Sequence, residues 1–134
     1  MIAIFDYGRT PQGMFYYAME YLDGLNLEQL VRAYGPQPPA RVAHIMRQVC
    51  GALAEAHAVG LIHRDIKPAN IILSERGGMP DVAKVVDFGL VKSFDPGSRT
   101  DLEVTSANLI VGTPLYMAPE AIGGDTALDG RSDL

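Results

Sequence analysis

His63-Arg64-Asp65-Ile66-Lys67-Pro68-Ala69-Asn70, followed at the end of a later apolar run by Asp87-Phe88-Gly89, decides how this chain of 134 residues is read. Both stretches adjoin short apolar segments: Leu61-Ile62, Ile71-Ile72-Leu73 and Val82-Ala83-Lys84-Val85-Val86. Such runs are expected to be short strands that present loops at their ends. In the first loop the carboxylate of Asp65 is followed two residues on by Lys67 and five residues on by the amide of Asn70. Together with a second carboxylate, Asp87, these form an oxygen-rich set suited to Mg²⁺. That hard cation takes one or two carboxylates and fills its other positions with phosphates and water. Lys67 is then placed to neutralise charge on a transferring phosphoryl group, where electrostatic stabilisation counts most. Asp-Phe-Gly or His-Arg-Asp alone is more often an ordinary turn. The two in this order, with Asn70 at its offset and Gly112-Thr113-Pro114 and Ala118-Pro119-Glu120 downstream, leave little to coincidence.

Towards the N-terminus, Ile2-Ala3-Ile4-Phe5 and Met14 to Tyr21 are strand-prone and are joined by the turn-rich Gly8-Arg9-Thr10-Pro11-Gln12-Gly13. Asp23-Gly24 breaks the second strand. Asn26 and Gln29 form a capping-box pattern for a short helix ending at Gly35. Pro39 suits the first turn of a longer helix that stops at Gly60. Along it Val42, Ile45, Met46, Val49 and Leu53 follow helical spacing and predict a buried face. Cys50 and His57 lie near that face and are read as packing residues; His44 is expected to face solvent. From Asp87 to Glu120 the chain is mostly polar and irregular, and a loop of that length in a compact domain is usually functional or mobile.

Composition narrows the function classes. A net charge of -5 argues against a general electrostatic grip on nucleic acid or anionic membrane. No apolar run of about 18 residues is present to span a bilayer. The single cysteine, Cys50, excludes an internal disulfide framework and fits a reducing compartment, so the expected setting is cytoplasmic, with an anchor outside this segment still open.

The motifs together resemble a serine/threonine protein kinase of the eukaryotic-like type, with bacterial wording from His63 to Leu73. The resemblance implies an α+β, kinase-like fold truncated at both ends. Residues 1–24 would supply the end of the first lobe and the hinge strands, and residues 25–134 the first part of the mainly helical second lobe. It implies ATP and Mg²⁺ as cofactors and protein substrates with serine or threonine acceptors. Asp65 would be the base that orients the substrate hydroxyl, helped by Lys67 in the form typical of serine/threonine enzymes. Asn70 and Asp87 would ligate magnesium, and Phe88 would set the position of Asp87. Met19 would be the gatekeeper, the Glu20 carbonyl and Leu22 backbone would meet adenine, and Ile72 would form the floor beneath the ring. Thr113 would lie near Asp65 and Lys67. Arg64 before Asp65 implies activation through a phosphorylated loop, with Thr105 and Ser106 as first candidates and Ser98 and Thr100 as weaker ones. That these hydroxyls merely keep a loop soluble is an equal reading. Asp133 matches an aspartate that anchors the catalytic loop, and Glu120 one that pairs with a distant arginine.

The resemblance covers the whole chain, but the chain covers about half of such a domain. The glycine-rich loop, the strand lysine that contacts the phosphates and its glutamate partner have no counterpart. The three lysines are Lys67, Lys84 and Lys92, and Lys84 lies three residues before Asp87, on the wrong strand for that role. The segment taken alone is therefore expected to transfer little or no phosphate, since positioning dominates phosphoryl transfer. Two alternatives stay open: a non-catalytic remnant or interaction module, and a small-molecule phosphotransferase with a related loop. The intact set Asp65, Lys67, Asn70 and Asp87 speaks against the former, and Gly112 to Glu120 against the latter.

Overall fold

A computed structural model of the chain describes residues 2–88, 114–122 and 129–134. The chain divides into two units, Met1–Ala52 with Pro68–Val86 and Leu53–Lys67 with Asp87–Leu134. Strands and helices are mixed, as the α+β expectation requires.

The first unit begins with an antiparallel ribbon of β1 (Ile4–Arg9) and β2 (Phe15–Met19), with Ile4 opposite Met19 and Arg9 opposite Phe15. The turn is tighter than the composition suggests. Thr10 donates its N–H to the Met14 carbonyl and Gly13 donates to Thr10, both at 2.8 Å, so strand pairing extends through Gly8 and Arg9. The second sheet has the order β3-β4-β5, formed by Gly24–Asn26, Ile71–Arg76 and Met79–Val85. Gly77-Gly78, both at positive φ, close the β4–β5 hairpin in the manner of a type I′ turn.

Gly24, read from sequence only as a strand breaker, opens β3 and pairs with Ser74 of β4. A Cβ at this position would lie 1.9 Å from the Leu73 carbonyl oxygen, a main-chain atom that cannot swing aside. Gly24→Ala is therefore expected to part β3 from β4 and cost ~1–3 kcal/mol, the range for overpacking. A urea midpoint equal to that of the parent chain would contradict this.

Helix α1 (Leu27–Tyr34) starts on the capping box expected for it. Gln29 N–H donates to Asn26 Oδ1 at 2.8 Å, and Asn26 N–H to Gln29 Oε1 at 3.0 Å. The helix ends at Gly35 and packs near β3, β4 and the 3₁₀ turn Pro68–Asn70. Helix α2 (Pro39–Ala58) begins at Pro39 as expected and closes in a Schellman motif. There Leu61 N–H reaches the Ala56 carbonyl and Gly60, at φ 77°, reaches His57. Its buried stripe is Ile45, Val49, Leu53 and Ala56, narrower than the pattern predicted. Val42 and Met46 are exposed, and so is Cys50, which is not a packing residue. His44 is exposed, as expected.

Helix α2 is tied to β5 by polar contacts. Arg41 grips Asp81 with two bonds, Nε to Oδ2 at 2.8 Å and Nη2 to Oδ1 at 2.7 Å. Gln48 donates to the Asp81 carbonyl and accepts from Ala83 N–H. The Arg41 guanidinium holds the Asp81 carboxyl below the usual carboxylate range. Asp81 itself has φ of 57°, where the β4–β5 register shifts between Ser74 and Arg76. An extra residue on one strand bends the ladder and turns this carboxylate towards the helix.

Candidate active site

In the second unit the chain leaves α2 and enters the loop containing His63, Arg64, Asp65 and Lys67. The run Leu61-Ile62 is irregular rather than a strand. The reason is visible in the donors: Leu61 N–H serves the helix cap, and the N–H groups of His63 and Arg64, just past the run, are taken by a carboxylate. His63 N–H donates to Asp133 Oδ2 and Arg64 N–H to Asp133 Oδ1, both at 2.8 Å. Arg64 adopts φ of 68°. Successive N–H groups converging on one anion around a left-handed residue form a nest, which explains a conformation that a non-glycine residue otherwise avoids. Asp133 is buried, and its third partner is His57 Nε2 at 2.8 Å from Oδ2.

His57 is thus not a packing residue but a latch on the same carboxylate. Its partner lies 76 residues away in the sequence, and no local pattern announces it. Gly130 completes the arrangement, because a Cβ there would stand 2.6 Å from His57 Nδ1.

The loop then presents its chemistry. Lys67 Nζ donates to Asp65 Oδ2 at 2.7 Å, and Asp65 N–H donates to His63 Nδ1 at 3.3 Å. That second bond requires a lone pair on Nδ1 and so places the ring proton on Nε2. The His63 ring is fully buried and tilts against Phe88, with ring centroids 4.6 Å apart. Phe88 is itself buried, and the preceding Asp87 has φ of 58°. Two non-glycine residues at positive φ, Arg64 and Asp87, thus lie in the two loops singled out from sequence. Backbone strain of this kind clusters at functional sites. Glu120, expected to face a distant arginine, accepts from Ser132 Oγ at 2.7 Å, and this bond holds its carboxyl below the usual range.

The first unit holds the remaining candidates. Asn70 is buried on the 3₁₀ turn before β4, and its carbonyl accepts from Val86 N–H at 2.9 Å. Ile72 lies half-buried in β4 opposite Lys84 of β5. Met19 ends β2, and Glu20 pairs with Ala3 through both main chain and side chain: Glu20 N–H to the Ala3 carbonyl at 2.9 Å, and Ala3 N–H to Glu20 Oε1 at 3.0 Å. Arg76 also donates to Glu20 Oε2, and Lys84 Nζ to Oε1 at 3.2 Å. Leu22 is half-buried. Thr105, Ser106, Thr113, Ser98, Thr100, Gly89, Lys92 and Gly112 fall outside the described residues.

The donors fit magnesium by their chemistry. Asn70 and Asp87 offer an amide and a carboxylate oxygen, both hard ligands. Among the described residues no group of three or more His, Cys, Asp or Glu side chains forms a cage of its own. A cation that draws most of its ligands from phosphates and water needs no such cage.

Known proteins resemble the chain over its whole length. Residues 1–134 match the family model described as "Protein kinase domain". The chain is 42% identical over 133 residues to serine/threonine-protein kinase pkn3 of Myxococcus xanthus, covering 99% of this chain and 24% of the relative. It is 39% identical to PknB of Mycolicibacterium smegmatis, covering all of this chain and 21% of that one. The PknI kinase domain of Mycobacterium tuberculosis superposes with a TM-score of 0.71 at 31% identity, covering 99% of this chain and 44% of that one. Rad53, solved in complex with AMP-PNP, superposes with a TM-score of 0.69 at 26% identity, over 93% of this chain and 28% of its own. The chain thus spans about a quarter of the length of the curated relatives it matches.

Proposed function

The chain belongs to the protein kinase domain family, and from that premise we propose that it carries the catalytic loops of an ATP-dependent enzyme that phosphorylates serine and threonine hydroxyls of proteins. The observation that supports this most is the Asp65–Lys67 pair at 2.7 Å, on a loop whose backbone is held by the buried Asp133. In this reading Asp65 orients the substrate hydroxyl and takes its proton. The hydroxyl oxygen bonds to the γ-phosphorus as the bond to the β–γ bridging oxygen breaks, and ADP leaves. Lys67 keeps the Asp65 carboxylate in place and offers positive charge to the transferring group, the kind of preorganised electrostatics that dominates such reactions. Asn70 and Asp87 would hold Mg²⁺, which supplies charge neutralisation at the phosphates. Phe88, packed on His63, limits where Asp87 can point.

The β2 end serves as hinge, with Met19 as gatekeeper, the Glu20 carbonyl and Leu22 backbone facing adenine, and Ile72 as floor. Residues 1–24 then close one lobe and residues 25–134 begin the next. Arg64 would pair with a phosphate carried on Thr105 or Ser106. The AMP-PNP bound by Rad53 supports an adenine nucleotide. No helix among the described residues is long and apolar enough to cross a membrane, and a cytoplasmic site of action is part of the proposal.

The test is transfer of label from γ-labelled ATP, with Mg²⁺, by the protein that carries this segment. Label is expected on serine and threonine of a protein or peptide panel. Label on tyrosine alone, or only on small-molecule hydroxyls, would overturn the assignment.

A further inference from the structure

We infer that Glu20 acts through its side chain as a positioning residue, stapling the hinge backbone to the β4–β5 hairpin so that the adenine-facing main chain keeps a fixed distance from its floor. The inference rests on the hinge reading above, which assigns a role to the Glu20 main chain and none to its carboxylate. That carboxylate is only 12% exposed. A carboxylate so enclosed must have its lone pairs matched, and three donors match them: Ala3 N–H, Arg76 and Lys84.

The positions of the two cations give the staple its meaning. Arg76 is the last residue of β4, and Lys84 lies in β5 opposite Ile72. Cross-strand partners share a face of the sheet, so Lys84 stands beside the proposed floor residue while its ammonium holds Glu20. One carboxylate, on the residue that follows β2, therefore links Ala3, just before β1, to both strands of the hairpin. A plain surface ion pair ties two side chains; this one fixes the spacing between a backbone strand and Ile72. The Ala3 N–H, followed by the two cations, pulls the Glu20 carboxyl down to about 2 from its ordinary 4.5. Because the folded value is depressed, the stabilisation is complete above about pH 4.5 and is lost only as pH falls towards 2. The staple is thus permanently set across the neutral range.

The experiment measures binding of a fluorescent ATP analogue, and amide hydrogen exchange at residues 20–24 without nucleotide, in the protein that carries this segment. Glu20→Gln is expected to weaken nucleotide binding about tenfold, as when a binding-competent backbone falls to roughly a tenth of the population. Exchange at residues 20–24 should quicken with it. Lys84→Met should do the same, the double variant should lose little more than either single one, and Lys84→Arg should restore binding to within about twofold. The Lys84 pair carries the test if Glu20→Gln does not fold. Leu22→Pro, which removes a proposed adenine-facing N–H, separates the two ideas. If Leu22→Pro weakens binding while Glu20→Gln and Lys84→Met change neither readout, the staple is wrong and the hinge stands. If Leu22→Pro also has no effect, the hinge reading itself fails. Additive losses in the double variant would overturn the coupling.

Discussion

Asp65→Asn in the protein that carries this segment is expected to cut phosphoryl transfer by ~10²–10⁴-fold, the usual contribution of a positioned general base, while the protein unfolds at an unchanged denaturant midpoint. The first half follows from what the amide lacks. Asparagine has the shape of aspartate but cannot take the hydroxyl proton, and it no longer offers Lys67 a charged acceptor at 2.7 Å. The second half follows from where Asp65 sits. Its side chain is 42% exposed, and it pairs with Lys67, a loop neighbour two positions on. An ion pair so open to water contributes roughly 0–1 kcal/mol. The features that hold the loop, Asp133 below it and His63 packed on Phe88, do not involve the Asp65 carboxylate. Rate and stability should therefore separate cleanly. Transfer within tenfold of the parent would remove Asp65 from the reaction, and a large drop in midpoint would show that it holds the fold instead.

The sequence made local features legible before those that depend on distant partners. The capping box of α1 and the apolar runs that lie in β4 and β5 were readable because their signals are local. What stayed hidden depends on distant partners. His57 looked like filler because Asp133 is 76 residues away. Leu61-Ile62 looked like a strand because its apolar character is real; only the fold shows that the neighbouring N–H groups already serve Ala56 and Asp133. β3 was missed because three residues with a glycine at their head carry no period, and its pairing is decided by how closely Gly24 can approach Leu73. Helical spacing found the face of α2 but not its width, so Val42, Met46 and Cys50 were drawn into a stripe that four residues fill. Periodicity reports direction, and burial depends on what lies opposite.

Asp133 carries the other large effect, on stability. Its side chain has no exposed surface and accepts from His63 N–H, Arg64 N–H and His57 Nε2, each at 2.8 Å. Asp133→Ala takes away the acceptor for all three at once and leaves a cavity that water fills poorly. A buried donor left unsatisfied costs about 1–3 kcal/mol. The His63 N–H is buried and the other two bonds are only part-buried, so a total of ~3–5 kcal/mol, at the lower end of the three-donor sum, is expected, a large share of the ~5–15 kcal/mol that holds a domain folded. Asp133→Asn should lose less, about 2 kcal/mol, because one oxygen still accepts while the amide nitrogen now faces a donor. Gly130→Ala probes the histidine latch alone. Its new Cβ would press on His57 Nδ1 at 2.6 Å and push the ring off the carboxylate, leaving both backbone bonds in place. A loss of ~1–3 kcal/mol is expected there. Urea denaturation gives the order, and amide exchange at His63 and Arg64 gives the cause: fast in Asp133→Ala, intermediate in Asp133→Asn and near parental in Gly130→Ala. If Asp133→Ala unfolds within about 1 kcal/mol of the parent, the loop is held by something other than this carboxylate. If exchange is equally fast in all three, the histidine latch and the backbone nest are a single unit, because the three bonds then break together and not in turn.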